Sequence, residues 1–205
     1  MGKEAEQKQE IVNQGVHTYS QEDSYVWPQE SVLLEQLEWF QDQKLALMVH
    51  WGVYNQLGMV ASWALSDEDA EWSRKMVDWT DDGELFKRQY RALNRAFDPV
   101  AFQPEEWAKM AKECGFRYLI LTTKHHDGFC LWDTAYTEYK TTAEDCPFHT
   151  HRYADIVRAM FDAFRNEGLG IGAYFSKADW HCPDYWETEK ALTGKTTRNP
   201  TYDPK

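Results

Sequence analysis

The chain has 205 residues, a formal net charge of −12 at pH 7 and an aromatic content of 15%. A surface this acidic repels phosphate groups and anionic headgroups, which argues against nucleic acid or a membrane as a partner. No apolar run approaches the roughly 20 residues that a membrane span needs. The length is sufficient for one domain with a sizeable core.

The N-terminal part of the chain is polar and non-periodic as far as about residue 30. It has no hydrophobic stretch, so no signal peptide is visible, and the compartment stays undefined by the sequence. A helix is predicted from Ser31 to Phe40, because its leucines recur at helical spacing. We interpret residues 1–37 as a polar extension with a lead-in helix and residues 38–205 as the main domain.

Three apolar runs predict strands at residues 45–50, 118–124 and 169–175. Helices are predicted from Pro104 to Cys114 and from Tyr153 to Glu167, and a glycine follows each of them. Strands that alternate with helices favour parallel pairing, which gathers their C-terminal ends on one face. Three strands are under half of an eight-stranded barrel, so the chain is interpreted as the first part of a larger β/α fold.

Ring side chains stand at the ends of these strands. His50 follows the first strand, His125 and His126 follow the second, and Tyr174 ends the third. We expect them to share one cleft. The paired histidines with Asp127 are compatible with a metal site, with a hydrogen-bonded pair at the strand end, or with neutral imidazoles that bind substrate hydroxyls. No metal is expected, because successive strand residues point to opposite faces.

Tryptophan is frequent in the loops, where its flat apolar face either stacks on a sugar ring or packs the loop onto the domain. The candidate carboxylic acids near the same face are Glu71, Asp127, Asp179 and Asp184. Sugar hydrolysis needs two carboxyl groups at a defined separation, and the sequence does not define that separation for any two of them. The four cysteines include no closely spaced pair, so free thiols are expected rather than a zinc or redox motif.

Several blocks in order resemble the opening of the catalytic barrel in α-L-fucosidases, glycoside hydrolase family 29. The similarity covers roughly residues 38 to 186 and is carried by Trp39–Lys44, His50–Tyr54, Phe97–Pro99, Leu121–Phe129, Gly172–Ser176 and Asp179–Trp180. The resemblance implies a (β/α)8 TIM barrel, of which this chain holds the first three or so units. It also implies a retaining exo-glycosidase that removes terminal α-L-fucose from fucosylated glycans or small fucosides, with no cofactor.

The resemblance assigns fucose-binding roles to four residues of the strand ends. The first-strand histidine of the family matches His50, and its paired histidines match His125 and His126. Its third-strand tyrosine matches Tyr174.

The family also uses a Glu-Trp pair in the first loop, and two positions here compete for it. Glu71-Trp72 keeps both residues, whereas Ser62-Trp63 better keeps the distance from the first-strand histidine but has no glutamate. Glu71-Trp72 is preferred for its carboxylate. The choice of tryptophan stays open between Trp72 and Trp63, and Trp180 is a further candidate.

The family's nucleophile and acid/base are expected beyond Lys205, so no catalytic residue is assigned and the chain alone is expected to be inactive. Its partner would be the missing C-terminal part of the barrel, and a homo-oligomer is compatible with the sequence. One rival is another sugar-acting barrel that uses Asp127 or Asp179 for catalysis. A second rival is a carbohydrate-binding protein that never hydrolyses. The family suggests a periplasmic, extracellular or lysosomal location.

Overall fold

The structure is a computed structural model that describes residues 28–66 and 71–182, without the side chain of Glu71. The chain divides into two compact units after Asp42. Helix α1 (Ser31–Gln43) confirms the predicted lead-in helix and runs three residues further. It ends where Lys44 adopts the left-handed conformation, with φ of 59°, which interrupts helical hydrogen bonding.

The second unit contains a parallel three-stranded sheet in the order β1 (Ala46–Val49), β2 (Tyr118–Lys124) and β3 (Gly170–Phe175). The register pairs Val49 with Leu121, and Leu121 in turn with Ala173. The three predicted strands and their parallel order are therefore confirmed, and the C-terminal ends of all three lie on one side of the sheet.

Short helices occupy the long connection that follows β1. They are α2 (Glu71–Arg74) and α3 (Gly83–Arg91), with 3-10 turns at Val53–Leu57, Trp63–Leu65 and Ala92–Ala96. The sequence predicted only an insertion here. Helix α3 begins after Asp82, whose side chain accepts hydrogen bonds from the first free backbone N–H groups of the helix.

Two longer helices lie between the strands, α4 (Pro104–Glu113) before β2 and α5 (Ile156–Asn166) before β3. A further 3-10 turn, Pro147–Thr150, precedes α5. The predicted start of the last helix at Tyr153 is wrong by three residues. Asp155 caps the helix instead, because its carboxylate accepts the backbone N–H of Arg158 at 2.9 Å.

Part of the core is formed by β2 and α5. Leu119 and Leu121 of β2 are fully buried, as are Ile156, Met160 and Phe164 of the helix. The buried face of α4 is centred on Ala108 and Ala111, and Met110 and Cys114 lie outside it. Met110 is 54% exposed, and Cys114 is also exposed.

All four cysteines are free thiols, as expected. No helix among the described residues combines the length and the apolar character required to cross a membrane.

Candidate functional site

The paired histidines lie beyond the end of β2, which removes the alternation that a strand would impose on them. The strand ends at Lys124, and the rings of His125 and His126 lie 4.5 Å apart between centroids. His50 follows the end of β1, and its ring centroid lies 5.0 Å from that of His125. Tyr174 lies 5.9 Å from His50 and stacks on His125 at 6.3 Å. The four predicted strand-end residues therefore lie together at the C-terminal ends of the strands.

Two tryptophans complete this group of rings. Trp63 lies 5.1 Å from His126, measured between ring centroids, and 5.9 Å from His125. Trp180 stacks on His126 at 4.8 Å with an interplanar angle of 28°. We refer to these six residues as the ring cluster: His50, Trp63, His125, His126, Tyr174 and Trp180.

Of the two tryptophans of the first loop, Trp63 belongs to the ring cluster and Trp72 does not, and the binding role of each stays a prediction. Trp72 is 53% exposed, and none of the ring contacts of the cluster involves it. Arg74 of α2 donates from Nε to the carbonyl of Ala64 at 3.0 Å, which links this helix to the turn that carries Trp63. The side chain of Glu71 lies outside the described residues, so its role stays a prediction.

Sequence reasoning missed Tyr54, whose ring lies 5.7 Å from His50 and 5.9 Å from His125. Its hydroxyl is buried and has no hydrogen-bond partner among the described residues. Burial, with the negative charge of Asp127 nearby, raises the pKa of this phenol, so it stays protonated. Its place in the block that begins at His50 was the available signal.

Two hydroxyl side chains hold the imidazoles. Thr122 Oγ1 lies 2.9 Å from His50 Nδ1, and Ser62 Oγ forms a hydrogen bond with His125 Nδ1. Both partners come from other segments of the chain, β2 and the loop after β1. Each imidazole is thereby held by one ring nitrogen, which fixes the orientation of the ring.

Burial makes these imidazoles neutral. It lowers the pKa of His50, and it lowers the pKa of His125 to about 3, with further lowering by electrostatic interaction with the nearby side chains of His126, His50 and Lys124. A neutral imidazole offers one donor and one acceptor, a pair that suits sugar hydroxyls.

The two carboxylates beside the cluster are engaged in internal contacts. Asp127 is 3% exposed, and its oxygens accept from the Tyr90 hydroxyl at 2.8 Å and from the backbone N–H of Phe129 at 3.0 Å. Burial raises the pKa of Asp127 to about 6, although both of these hydrogen bonds oppose the shift. The aspartate therefore fixes the turn that follows the paired histidines.

Asp179 anchors the loop that carries Trp180. It forms an ion pair with Lys124 at 3.1 Å, and its Oδ1 accepts the backbone N–H groups of His181 at 3.0 Å and Cys182 at 2.9 Å. Trp180 itself donates its backbone N–H to the carbonyl of His126 at 2.7 Å. The loop after β3 is thus held directly against the paired histidines.

A separate cavity of about 400 Å³ lies between the loop after β2 and the loop after β3. Its lining includes Lys124, Trp132, Phe175, Asp179 and His181. None of the described residues that line it belongs to the ring cluster. Asp179 therefore contributes to this neighbouring space.

In the part of the chain that the structure describes, no group of three or more His, Cys, Asp or Glu side chains has an arrangement that would hold a metal ion. The contacts of the paired histidines are of another kind. The rings of Trp63 and Trp180 pack against His126, and the Ser62 hydroxyl forms a hydrogen bond with His125. The absence of a metal in the natural protein stays an expectation.

Comparison with known proteins shows that the chain is similar to α-L-fucosidases. The sequence profile described as α-L-fucosidase matches residues 12–205. Plasma α-L-fucosidase of Rattus norvegicus is 29% identical over 158 residues, which are 77% of this chain and 33% of that protein.

Solved structures agree with this match. α-L-fucosidase AlfC from Lactobacillus casei, in complex with α-L-fucose product, gives a TM-score of 0.61 at 30% identity over 83% of this chain and 50% of that chain. A trapped covalent intermediate of a family 29 α-L-fucosidase from Bacteroides thetaiotaomicron gives a TM-score of 0.59 at 30% identity, with coverage of 80% and 34%.

The structural neighbours imply a TIM-barrel-like catalytic domain, and the three-stranded sheet that carries the ring cluster is compatible with part of one. The chain belongs to the α-L-fucosidase family. It spans about a third of the length of the curated relatives it matches.

Proposed function

We propose that the natural protein is a retaining exo-α-L-fucosidase and that this chain supplies its fucose-recognition part. The observation that carries the proposal is the ring cluster, in which three imidazoles, a phenol and two indoles converge at the strand ends of a family member. In this reading the sugar lies against His50, His125, His126 and Tyr174, and the AlfC structure with α-L-fucose product supports a fucose ligand.

The chemistry of the cluster fits an uncharged sugar. Neutral imidazoles exchange hydrogen bonds with hydroxyls without the desolvation cost of a buried ion. The indoles of Trp63 and Trp180 offer apolar faces for the C–H groups of the pyranose ring and for the methyl group that distinguishes fucose. The carboxylate of Glu71 would add a charged acceptor for a sugar hydroxyl, as the family resemblance implies.

The catalytic carboxylates are expected outside this chain. Retention requires a nucleophile and an acid/base about 5 Å apart across the scissile bond. Asp127 is 3% exposed and engages both oxygens internally, and Asp179 is committed to Lys124 and to two backbone N–H groups. Further β/α units that complete an eight-stranded barrel would supply the two groups, and the trapped covalent intermediate of the Bacteroides relative supports a two-step mechanism.

The experiment compares the full-length natural protein with the 205-residue chain on nitrophenyl α-L-fucoside. We expect the full-length protein to release α-L-fucose as the first-formed anomer, as detected by proton NMR, and the chain alone to show no release above background. Activity lost in a folded Asp127→Asn or Asp179→Asn variant would favour the rival barrel. L-fucose binding without turnover by the full-length protein would favour a carbohydrate-binding protein.

A further inference from the structure

Two buried hydroxyls hold imidazoles of the ring cluster from behind. Ser62 Oγ forms a hydrogen bond with His125 Nδ1, and Thr122 Oγ1 lies 2.9 Å from His50 Nδ1. Ser62 and Thr122 are both fully buried. Within the residues that the structure describes, each hydroxyl has the imidazole as its one hydrogen-bond partner. The direction of each bond therefore decides where the ring carries its proton.

The direction of each hydrogen bond follows from which part of the buried hydroxyl group must be satisfied. A buried hydroxyl that only accepts leaves its proton without a partner, whereas an unfilled lone pair on oxygen is less costly. Each hydroxyl therefore donates to Nδ1, and a neutral ring that accepts at Nδ1 carries its proton on Nε2. We propose that Ser62 and Thr122 are positioning residues that fix His125 and His50 as Nε2–H donors toward a bound sugar.

The surroundings of the two rings agree with this arrangement. Burial lowers the pKa of His50 and lowers that of His125 to about 3, which favours the neutral form of both rings. Neither Nε2 has a hydrogen-bond partner among the described residues. Two fixed donors select ligand oxygens that accept from them, and a hydroxyl bound in this way keeps its own proton for another acceptor.

The sugar part of this inference rests on the proposed function, whereas the protonation of the rings does not. The experiment uses the full-length natural protein labelled with nitrogen-15 at histidine, because long-range proton–nitrogen spectra distinguish the two tautomers directly. We expect His50 and His125 to be protonated at Nε2. Their Nδ1 resonances should show the upfield displacement of a nitrogen that accepts a hydrogen bond.

The variants remove one hydroxyl at a time. Ser62→Ala should move the Nδ1 resonance of His125 downfield, and Thr122→Val should do the same for His50. Each should weaken L-fucose binding about three- to tenfold, which is the usual effect of one lost buried hydrogen bond. Thr122→Ser keeps the hydroxyl and should restore both the spectrum and the affinity.

Matched controls come from two other buried hydroxyls. Ser73 Oγ and Thr141 Oγ1 are buried and have no hydrogen-bond partner among the described residues. Ser73→Ala and Thr141→Val delete the same chemical groups without a contact to an imidazole. Both should leave the histidine spectra and the L-fucose affinity unchanged, which separates positioning from a general effect on packing.

A wild-type ring protonated at Nδ1 would overturn the proposal, whatever the variants do. So would an Nδ1 resonance that does not respond when its hydroxyl is removed. If the tautomers behave as expected and the wild-type protein does not bind L-fucose, the proposed function fails and the positioning of the rings stands.

Discussion

The loops after β2 and β3 carry members of the ring cluster together with the two carboxylates beside it, yet the two kinds of residue use their polar groups in opposite ways. His50 and His125 are each held by one ring nitrogen. Asp127 instead engages both of its oxygens, and Asp179 holds a lysine and two backbone N–H groups. A polar residue in a cleft is therefore a recognition group only when part of its hydrogen-bonding capacity is left for a ligand.

The difference has an energetic cause. A carboxylate buried among protein donors is costly to withdraw from them, because the donors would be left unsatisfied. A neutral imidazole tolerates burial better than an ion, and it still presents a second nitrogen when the first is bonded. The same loops thus carry residues that hold the loops in place and residues that we propose contact the sugar.

The largest effect is expected from removing the buried aspartate. Asp127→Ala leaves the Tyr90 hydroxyl and the Phe129 N–H without their acceptor, so the free energy of unfolding should fall by about 3 kcal/mol. Urea denaturation of the full-length protein measures it. Asp127→Asn keeps one carbonyl oxygen and should lose much less. Equal losses in the two variants would contradict a role based on these two hydrogen bonds.

A glycine allows the two loops to meet, and an added methyl group tests that approach. Gly128 has φ of +82°, and a Cβ there would lie 2.6 Å from both Asp179 Oδ1 and His181 Cβ. Gly128→Ala should cost about 2 kcal/mol of stability, from backbone strain together with this overlap.

Gly115 provides the control, because it has φ of +84° and nothing within 4 Å of the added Cβ. Gly115→Ala should cost about 1 kcal/mol, the backbone strain alone. Gly128→Ala should also weaken L-fucose binding, since the displaced loop carries Trp180 of the ring cluster. Unfolding data and calorimetric titration measure the two effects. A Gly128→Ala protein no less stable than Gly115→Ala would contradict the close approach.

The two tryptophans of the first loop allow a comparison between an indole that contacts the ring cluster and one that is exposed to solvent. Trp63 contacts two histidines of the cluster, whereas Trp72 is 53% exposed. Trp63→Ala should raise the dissociation constant for L-fucose about tenfold, which is about 1.4 kcal/mol. Trp72→Ala should change it less than threefold. A larger effect at Trp72 in calorimetric titration would return the recognition role to the Glu71-Trp72 pair.

The sequence predicted the strands and the residues at their ends because both are local patterns. Alternating strands and helices define a parallel sheet, and a parallel sheet brings its C-terminal ends together. That logic was enough to predict that His50, His125, His126 and Tyr174 lie close together, as the ring contacts confirm.

The partners of these residues could not be predicted, because they depend on how long loops fold back. Ser62 and His125 are 63 positions apart, and no periodicity connects them. The choice of Trp63 over Trp72 depends in the same way on a turn inside the connection after β1. Asp127 was a candidate catalytic residue because the sequence does not show whether a carboxylate is exposed or buried.

The smallest effect concerns the pH dependence of stability, to which the buried histidines and Asp127 contribute in opposite directions. The pKa of His125 falls from 6.5 to about 3 on folding, so the folded state binds fewer protons and stability is lost as pH falls below about 6.5. His50 and His181 shift in the same direction. The pKa of Asp127 rises from 3.8 to about 6, so this group adds stability as pH falls through that window.

Replacing Asp127 should therefore make the free energy of unfolding fall more steeply as the pH is lowered. Between pH 6 and pH 4, the stability of Asp127→Asn should fall faster than that of the wild type by roughly 1 kcal/mol per pH unit, close to the 1.4 kcal/mol that one full proton contributes. Urea denaturation at several pH values measures the slope. Asp133→Asn serves as the control, because this exposed aspartate has a pKa already below its ordinary value and titrates beneath the window. A slope unchanged in Asp127→Asn would mean that the buried carboxyl is ionised throughout this range, and the contrast between the two regions would then lose its electrostatic part.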